Sequence, residues 1–220
     1  MSAYRLSAYH LYVTYKRYVT YSVHVPSRLQ QARADETRQA LLRAARELFT
    51  EQGYAQTGTE QLVQHAGVTR GALYHHFESK LALFEAVFMS LEEEFIVIGA
   101  QVMSPEASAW DNLVAGCHAY LDMCLRPDIG RIVLLDGPAV LGPERWRELE
   151  DQYALAAVLA GLQQAMDDGV VTPRPALPLA RMVLAAVNEA GLYIAQSDRP
   201  RVARREAGET FDALLDGLRA

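Results

Sequence analysis

Residues 57–80 read TGTEQLVQHAGVTRGALYHHFESK, and their pattern decides the fold. The stretch divides into two short helices joined by a tight turn. Thr57 and Thr59 are candidate N-caps for the first helix, and Glu60 follows Thr57 at the spacing of a capping box. Leu62, Val63 and Ala66 supply its apolar positions, and Gly67 supplies the backbone freedom that ends it. Val68 is expected to point inward and Thr69 to cap the second helix. That helix keeps Leu73 and Phe77 for the core and turns Arg70, Gly71, Ala72, Tyr74, His75 and His76 outward. A short helix with a polar outer face, presented by a tight turn, fits the major groove of DNA.

Working outward, a longer helix is expected to start near Asp35. Leu41, Leu42, Ala45, Leu48 and Phe49 recur along it at helical spacing, and Gly53 is placed to stop it. Arg33, Arg38, Arg43 and Arg46 lie on or near it. A charged outer face is usually solvated; the N-terminal arginines are the better phosphate candidates. Taken together, ALLRAARELFTEQGY (40–54) and TGTEQLVQHAGVTRGALYHHFESKLALFEAV (57–87) closely resemble the DNA-binding domain of the tetracycline-repressor (TetR) family of bacterial transcription regulators. The resemblance runs from about residue 35 to 95. It joins the LF…GY end of the first helix, the AGVTRGALYHHF turn and reading helix, and the Ser79-Lys80 start of the fourth.

The resemblance implies an all-α fold: an N-terminal three-helix helix-turn-helix domain, then a C-terminal helical ligand-binding and dimerisation domain. The expected division is a basic, Tyr-rich, poorly ordered tail over 1–33, the DNA-binding domain over 35–95, and the helical body over 96–220. It also implies a homodimer that binds a palindromic double-stranded DNA operator as a repressor and is released by a small-molecule effector. Tyr74 and His75 match family positions that meet the DNA backbone.

Phosphate contacts position such a reader, and base-edge contacts give it sequence preference. Thr57 and Thr59 offer hydroxyl and backbone N–H groups to a phosphate at a helix N-terminus, and Lys80 is placed to do the same beside the Ser79 cap. Thr69, Arg70 and Gly71 open the reading helix. Arg70 reads equally as a fork on guanine or as a phosphate contact. Gly71 and Ala72 are small enough for close approach, and Ala72 suits a thymine methyl. His75 and His76 are adjacent, so on a helix they diverge by about 100° and do not converge on a metal.

Composition sets the remaining bounds. Half of the 220 residues are hydrophobic, enough for a sizeable core. The formal net charge is −6, but residues 1–80 hold 10 Lys/Arg against 6 Asp/Glu, whereas 81–220 hold 11 against 21. A basic reader on an acidic body remains compatible with DNA, because phosphate charge acts over about 8–10 Å. Cys117 and Cys124 lie seven residues apart, about 10 Å along a helix, too far for a disulfide. They read as buried thiols in a reducing, cytoplasmic compartment. No apolar run approaches a membrane span. An enzyme finds no support in a Gly-rich phosphate loop, a Ser/His/Asp spacing or a metal cluster, and no cofactor is expected. A DNA-binding activator or architectural protein without a ligand is the alternative.

In the body, helices are expected over 79–99, 107–125, 144–168, 178–196 and 201–218, with a short helix and turns over 127–142. They should enclose a pocket, for which Phe88, Trp110, Cys117, His118, Leu121, Tyr153 and Asn188 are lining candidates. An aromatic residue at helical spacing is more often core packing. His118 and Asp122 also suit a simple pair along one helix face. The last two helices are rich in small residues, and by the resemblance they form the dimer as a four-helix bundle.

Residues 1–25 read differently. Tyrosines stand at 9, 12, 15, 18 and 21, and the segment holds no acid. A spacing of three fits neither strand nor amphipathic helix. A basic arm lying on DNA is one reading. Another starts from Tyr-Val-Thr-Tyr, present at 12–15 and 18–21. Its codons permit the palindrome TACGTNACGTA, so the tail reads either as translated operator DNA ahead of a downstream start or as a chance repeat.

Overall fold

The computed structural model describes residues 28–220. The readings for residues 1–25 lie outside the described residues. The chain divides after Glu36 into two units. Of the first, residues 28–36 are described, as the opening turns of helix α1 (Arg28–Gln56). This helix begins at Arg28 rather than near Asp35, because residues 29–34, LQQARA, are all strong helix formers. Everything below concerns the second unit, Thr37–Ala220.

Gly53 breaks the helical path with φ 80° and ψ 166°, a conformation nearly closed to residues with a Cβ. Helix α2 (Thr59–Ala66) follows, capped by Gly58 rather than by Thr57 or Thr59. Thr57 is turned inside, 1% exposed, and its hydroxyl donates to Gly53 O at 2.8 Å. The side chain that reaches back is therefore Gln61, not Glu60: its Oε1 accepts from Gly58 N at 2.8 Å. Gly67 closes α2 in the left-handed region, φ 67°. Thr69 caps α3 (Arg70–His76), accepting from Ala72 N at 3.2 Å, and Ser79 caps α4 (Lys80–Val102), accepting from Ala82 N at 3.0 Å.

The faces expected to be apolar are the faces buried. Leu41, Ala45, Phe49, Leu62, Val63, Leu73, Phe77, Leu83 and Phe84 form the reader's core. The Lys80 ammonium donates to Tyr54 O at 2.9 Å and Thr57 O at 3.0 Å, and lies 4.0 Å from the centre of the Tyr54 ring. It thus ties the end of α1 to the start of α4.

The body comprises α5 (Ala109–Met123), a π-helical segment π1 (Ile129–Asp136), α6 (Gly137–Leu141), α7 (Pro143–Glu150), a π-helical turn π2 (Asp151–Leu155), α8 (Ala156–Asp167), α9 (Ala176–Ala195) and α10 (Pro200–Asp216). The expected helix over 144–168 is one run whose winding loosens at π2. Helix α5 packs against α4, α8, α9 and α10. A Cβ on Gly191 would sit 2.8 Å from Cys124 Sγ, so only glycine allows α9 this close to α5. Both cysteines are free and buried. Helix α9 does have the length and composition of a membrane span, with a third of it buried; Arg181, Asn188 and Glu189 lie on it, and one face packs against α8, α10 and π1.

Reader and body meet at Arg46. Its guanidinium bonds Glu94 on α4 through both terminal nitrogens, and Asp128 through Nε at 2.9 Å and Nη2 at 2.6 Å. Arg126 Nη2 reaches the same two carboxylates at 2.9 Å each. The Arg46 hydrogen bond holds the Glu94 carboxyl below its ordinary value. At the other end of π1, Asp136 accepts from Tyr54 N at 2.8 Å. Arg46 is therefore a structural link and not a solvated surface charge.

Because Gly53 occupies backbone space that alanine avoids, Gly53→Ala is expected to lower stability by about 1–3 kcal/mol. Urea unfolding of the two proteins measures it; an unchanged midpoint would show that the bend tolerates a Cβ.

Candidate functional site

The outer face of α3 is open. Thr69, Arg70, Gly71, Tyr74 and His75 are exposed and Ala72 is half-buried. Leu73 and Phe77, on the opposite face, anchor the helix. The Arg70 guanidinium lies 5.7 Å from the centre of the Tyr74 ring, so cation and phenol present one combined edge. The His75 and His76 rings meet edge to face at 5.2 Å. Thr59 opens α2 half-buried, with backbone N–H groups of the first turn directed outward as in any helix start.

Two expected phosphate contacts stand differently. The Thr57 hydroxyl is buried and bonded within the reader, so it cannot be offered to a phosphate. The Lys80 ammonium spends two of its three donors on Tyr54 O and Thr57 O. Arg38 is exposed, in keeping with a solvated face, and its guanidinium also lies over the Phe77 ring at 5.1 Å.

Within the body lies a cavity of about 530 Å³. Cys117, Tyr153 and Asn188 line it as expected. Phe88, Trp110, His118 and Leu121 do not line it. Phe88 and Leu121 are fully buried core residues and Trp110 is 3% exposed. His118 is held elsewhere: its Nε2 pairs with Asp212 at 2.7 Å while Arg204 donates to its Nδ1 at 3.1 Å. Asp122, expected to pair with His118, instead accepts from Arg204 Nε at 2.7 Å.

The apolar wall combines Phe95, Leu113, Val133, Val158 and Val187 with the small residues Gly99, Gly116, Ala154, Ala157 and Gly161. The polar part is concentrated. The Tyr120 hydroxyl donates to Asn188 Oδ1 at 2.8 Å, and Asn188 Nδ2 donates to Glu150. Glu92, 8% exposed, also lines the cavity. Burial raises the Glu92 carboxyl from 4.5 to about 7, with the nearby Glu150 charge adding to it. Burial likewise raises Glu150 to about 7, against the Asn188 hydrogen bond. Burial pushes the Cys117 thiol up to about 12, so it stays protonated and unreactive. The indole N–H of Trp146, also in the lining, is buried and has no hydrogen-bond partner among the described residues.

Sequence reading missed Glu92, Glu150, Tyr120 and Trp146. One signal was present: in the run Glu92-Glu93-Glu94, only Glu92 stands four residues after Phe88, in register with the buried stripe Phe84, Phe88, Leu91.

Two family models match. Residues 41–87 match "Bacterial regulatory proteins, tetR family", and residues 110–218 match "Tetracyclin repressor-like, C-terminal domain". Among solved structures, a TetR-family transcriptional regulator from Pectobacterium atrosepticum is 32% identical, with a TM-score of 0.73 over 89% of this chain and 98% of that one. The regulator FadR from Bacillus subtilis, solved with stearoyl-CoA, is 17% identical with a TM-score of 0.71 over 81% of this chain and 98% of that one, a likeness of fold alone. The transcriptional repressor BepR of Brucella suis is 47% identical over 60 residues, 27% of this chain and 29% of that protein. The chain spans less than two thirds of the length of the first curated relatives it matches.

The two raised carboxyls fix a sign for stability against pH. Between 4.5 and about 7 the folded chain retains protons that the unfolded chain has released, so stability falls as pH rises through that window. Glu92→Gln keeps the shape and removes the charge. It is expected to raise stability by about 1–3 kcal/mol at about pH 8 and to change it little near pH 4. Urea unfolding at both pH values checks this; an equal effect at both would contradict a buried, proton-holding Glu92.

Proposed function

The chain belongs to the TetR family of bacterial transcriptional regulators, and from that premise we propose that it is a repressor whose grip on a palindromic operator is released by a small molecule in the body's cavity. In this reading residues 35–95 are the DNA reader and 96–220 the ligand-binding and dimerisation body. A homodimer sets two α3 helices in successive major grooves, about 34–36 Å apart. Arg70 and Tyr74 contact the duplex, Thr69 and His75 flank them, and Gly71 and Ala72 let the helix approach the bases.

The dimer face proposed is the outer side of α9 and α10. Met182, Ala185, Glu189 and Tyr193 recur there at helical spacing, and Met182, Tyr193 and Leu214 are 68%, 51% and 58% exposed. Apolar side chains this open, beside small ones, suit close packing against a second copy.

One observation carries the ligand-controlled reading: Val133 lines the cavity and belongs to π1, whose two ends hold the reader. Asp128 precedes π1 and binds Arg46; Asp136 ends it and binds Tyr54 N. A molecule that displaces the cavity wall at Val133 moves the segment that grips α1. The same push on α4, through Phe95 and Gly99, tilts the helix that leads into the reader. A shift of a few ångströms between the two α3 helices weakens binding. A ligand-independent activator or architectural protein would share the α3 face but gives the cavity no task.

Anisotropy titration of labelled DNA from upstream of the chain's own gene tests the reader. Arg70→Ala and Tyr74→Ala are each expected to weaken specific binding by about 1–3 kcal/mol, with sedimentation still giving a dimer. Equal affinity of the parent chain for that DNA and for random DNA at physiological salt would contradict sequence-specific reading.

A further inference from the structure

We propose that the cavity selects an organic cation: an amphiphile whose ammonium or amidinium head lies against Glu92 and Glu150 while its apolar body fills the space between α4, α5 and α8. The proposal rests on the reading of this cavity as the effector site and names the chemistry of its ligand.

The lining has a one-sided charge. Among the described residues, Glu92 and Glu150 are the only charged ones in the lining, which holds no Lys, Arg or His. Glu92 is nine-tenths buried, and its carboxylate has no hydrogen-bond donor among the described residues. Elsewhere in this protein acids near the interior find a base, as Asp128 finds Arg46 and Arg126. The polar chain in the cavity runs the other way. Tyr120 donates to Asn188, and Asn188 donates to Glu150, so each hydrogen bond is aimed to support a negative charge at its end. Once ionised, two acids facing an apolar space with no basic side chain beside them in the lining are unfavourable, and an occupant that supplies the positive charge relieves this. Phe95, Tyr120, Trp146 and Tyr153 surround the same space and add ring faces that attract a cation. Above about pH 7, where both acids are ionised, an anionic head would meet two carboxylates and a neutral ligand would leave them unpaired.

The titratable groups acting on this pair lie on α5 or at its end, on α7 and on π2. Glu92 faces Glu150 from α7, Tyr120 and Cys124 from α5, and Tyr153 from π2. Glu150 also feels Asp151, which opposes its charge, and Arg147, which favours it from outside the lining. The pair retains protons up to about pH 7. A bound cation stabilises both carboxylates and displaces those protons into solvent. Binding therefore tightens as pH rises while the amine remains charged.

The test titrates the DNA-free full chain with decylamine, decanol and decanoate, which share one alkyl length and differ in head charge. Calorimetry in two buffers reads affinity and proton release. Decylamine is expected to bind about tenfold or more tightly than decanol, and decanoate most weakly. Decylamine affinity is expected to rise between about pH 6 and pH 8, with protons released, since an alkylamine resembles Lys with a value of about 10 and stays charged throughout. In a Glu92→Gln, Glu150→Gln double variant the decylamine-to-decanol ratio is expected to fall to about one. Decanol or decanoate binding as tightly as decylamine, no binding by any of the three, or an unchanged ratio in the double variant would each overturn the proposal. Should the double variant fail to fold, the pH dependence and proton release of the parent chain decide alone. Operator release is read separately by anisotropy. Decylamine binding without release would leave the cation site standing and remove the effector reading. Release by decanol or decanoate, in place of decylamine, would keep the effector reading and end the cation proposal.

Discussion

The architecture turns on the guanidinium of Arg46. Its donors are fixed in one plane, so satisfying Glu94 and Asp128 together requires α1, α4 and the start of π1 to meet at one point. Arg126 closes the same cluster from the α5 side. Asp128 also accepts from Ile129 N at 2.9 Å, so the carboxylate that holds the reader caps π1 as well. With Tyr54 N on Asp136, π1 is fastened to α1 at both of its ends. Charged bonds of this kind are directional, and they make the reader's orientation depend on π1.

Between those two fastenings π1 contributes Val133 to the cavity wall. The cavity's contents and the reader's position are therefore separated by one segment of eight residues. Its π winding, like that of π2, which also lines the cavity, places side chains off the usual helical register, a feature common where helices border functional space. The acids of the cavity fit the same picture. Glu92 lies two residues before Glu94 on α4, so a charge change in the cavity and the ionic link to the reader share one turn of helix.

The reader was largely legible in the sequence because its determinants are local. Gly67, Thr69 and Ser79 act on backbone groups within a few residues, and the apolar spacing of Leu62, Val63, Leu73 and Phe77 is a direct record of burial. The cap at Gly58 was not legible, since it depends on Thr57 being drawn inside to bond Gly53 O. Arg46 read as an ordinary surface charge because its partners stand 48 and 82 residues away. The cavity misled for a physical reason. Large apolar residues at helical spacing, Phe88, Trp110 and Leu121, fill space and so mark core. The cavity exists where side chains are small, at Gly99, Gly116, Ala157 and Gly161, and small residues carry little signal on their own.

Hydrogen exchange of the parent chain and of Arg46→Ala, followed amide by amide, tests the central claim that this ionic link sets the reader on the body. Faster exchange throughout α2 and α3 in the variant, with α8, α9 and α10 unchanged, is the result this account predicts. Equal exchange of α2 and α3 in the two proteins would mean that the reader holds its place without Arg46, and the proposed route from cavity to DNA would be wrong.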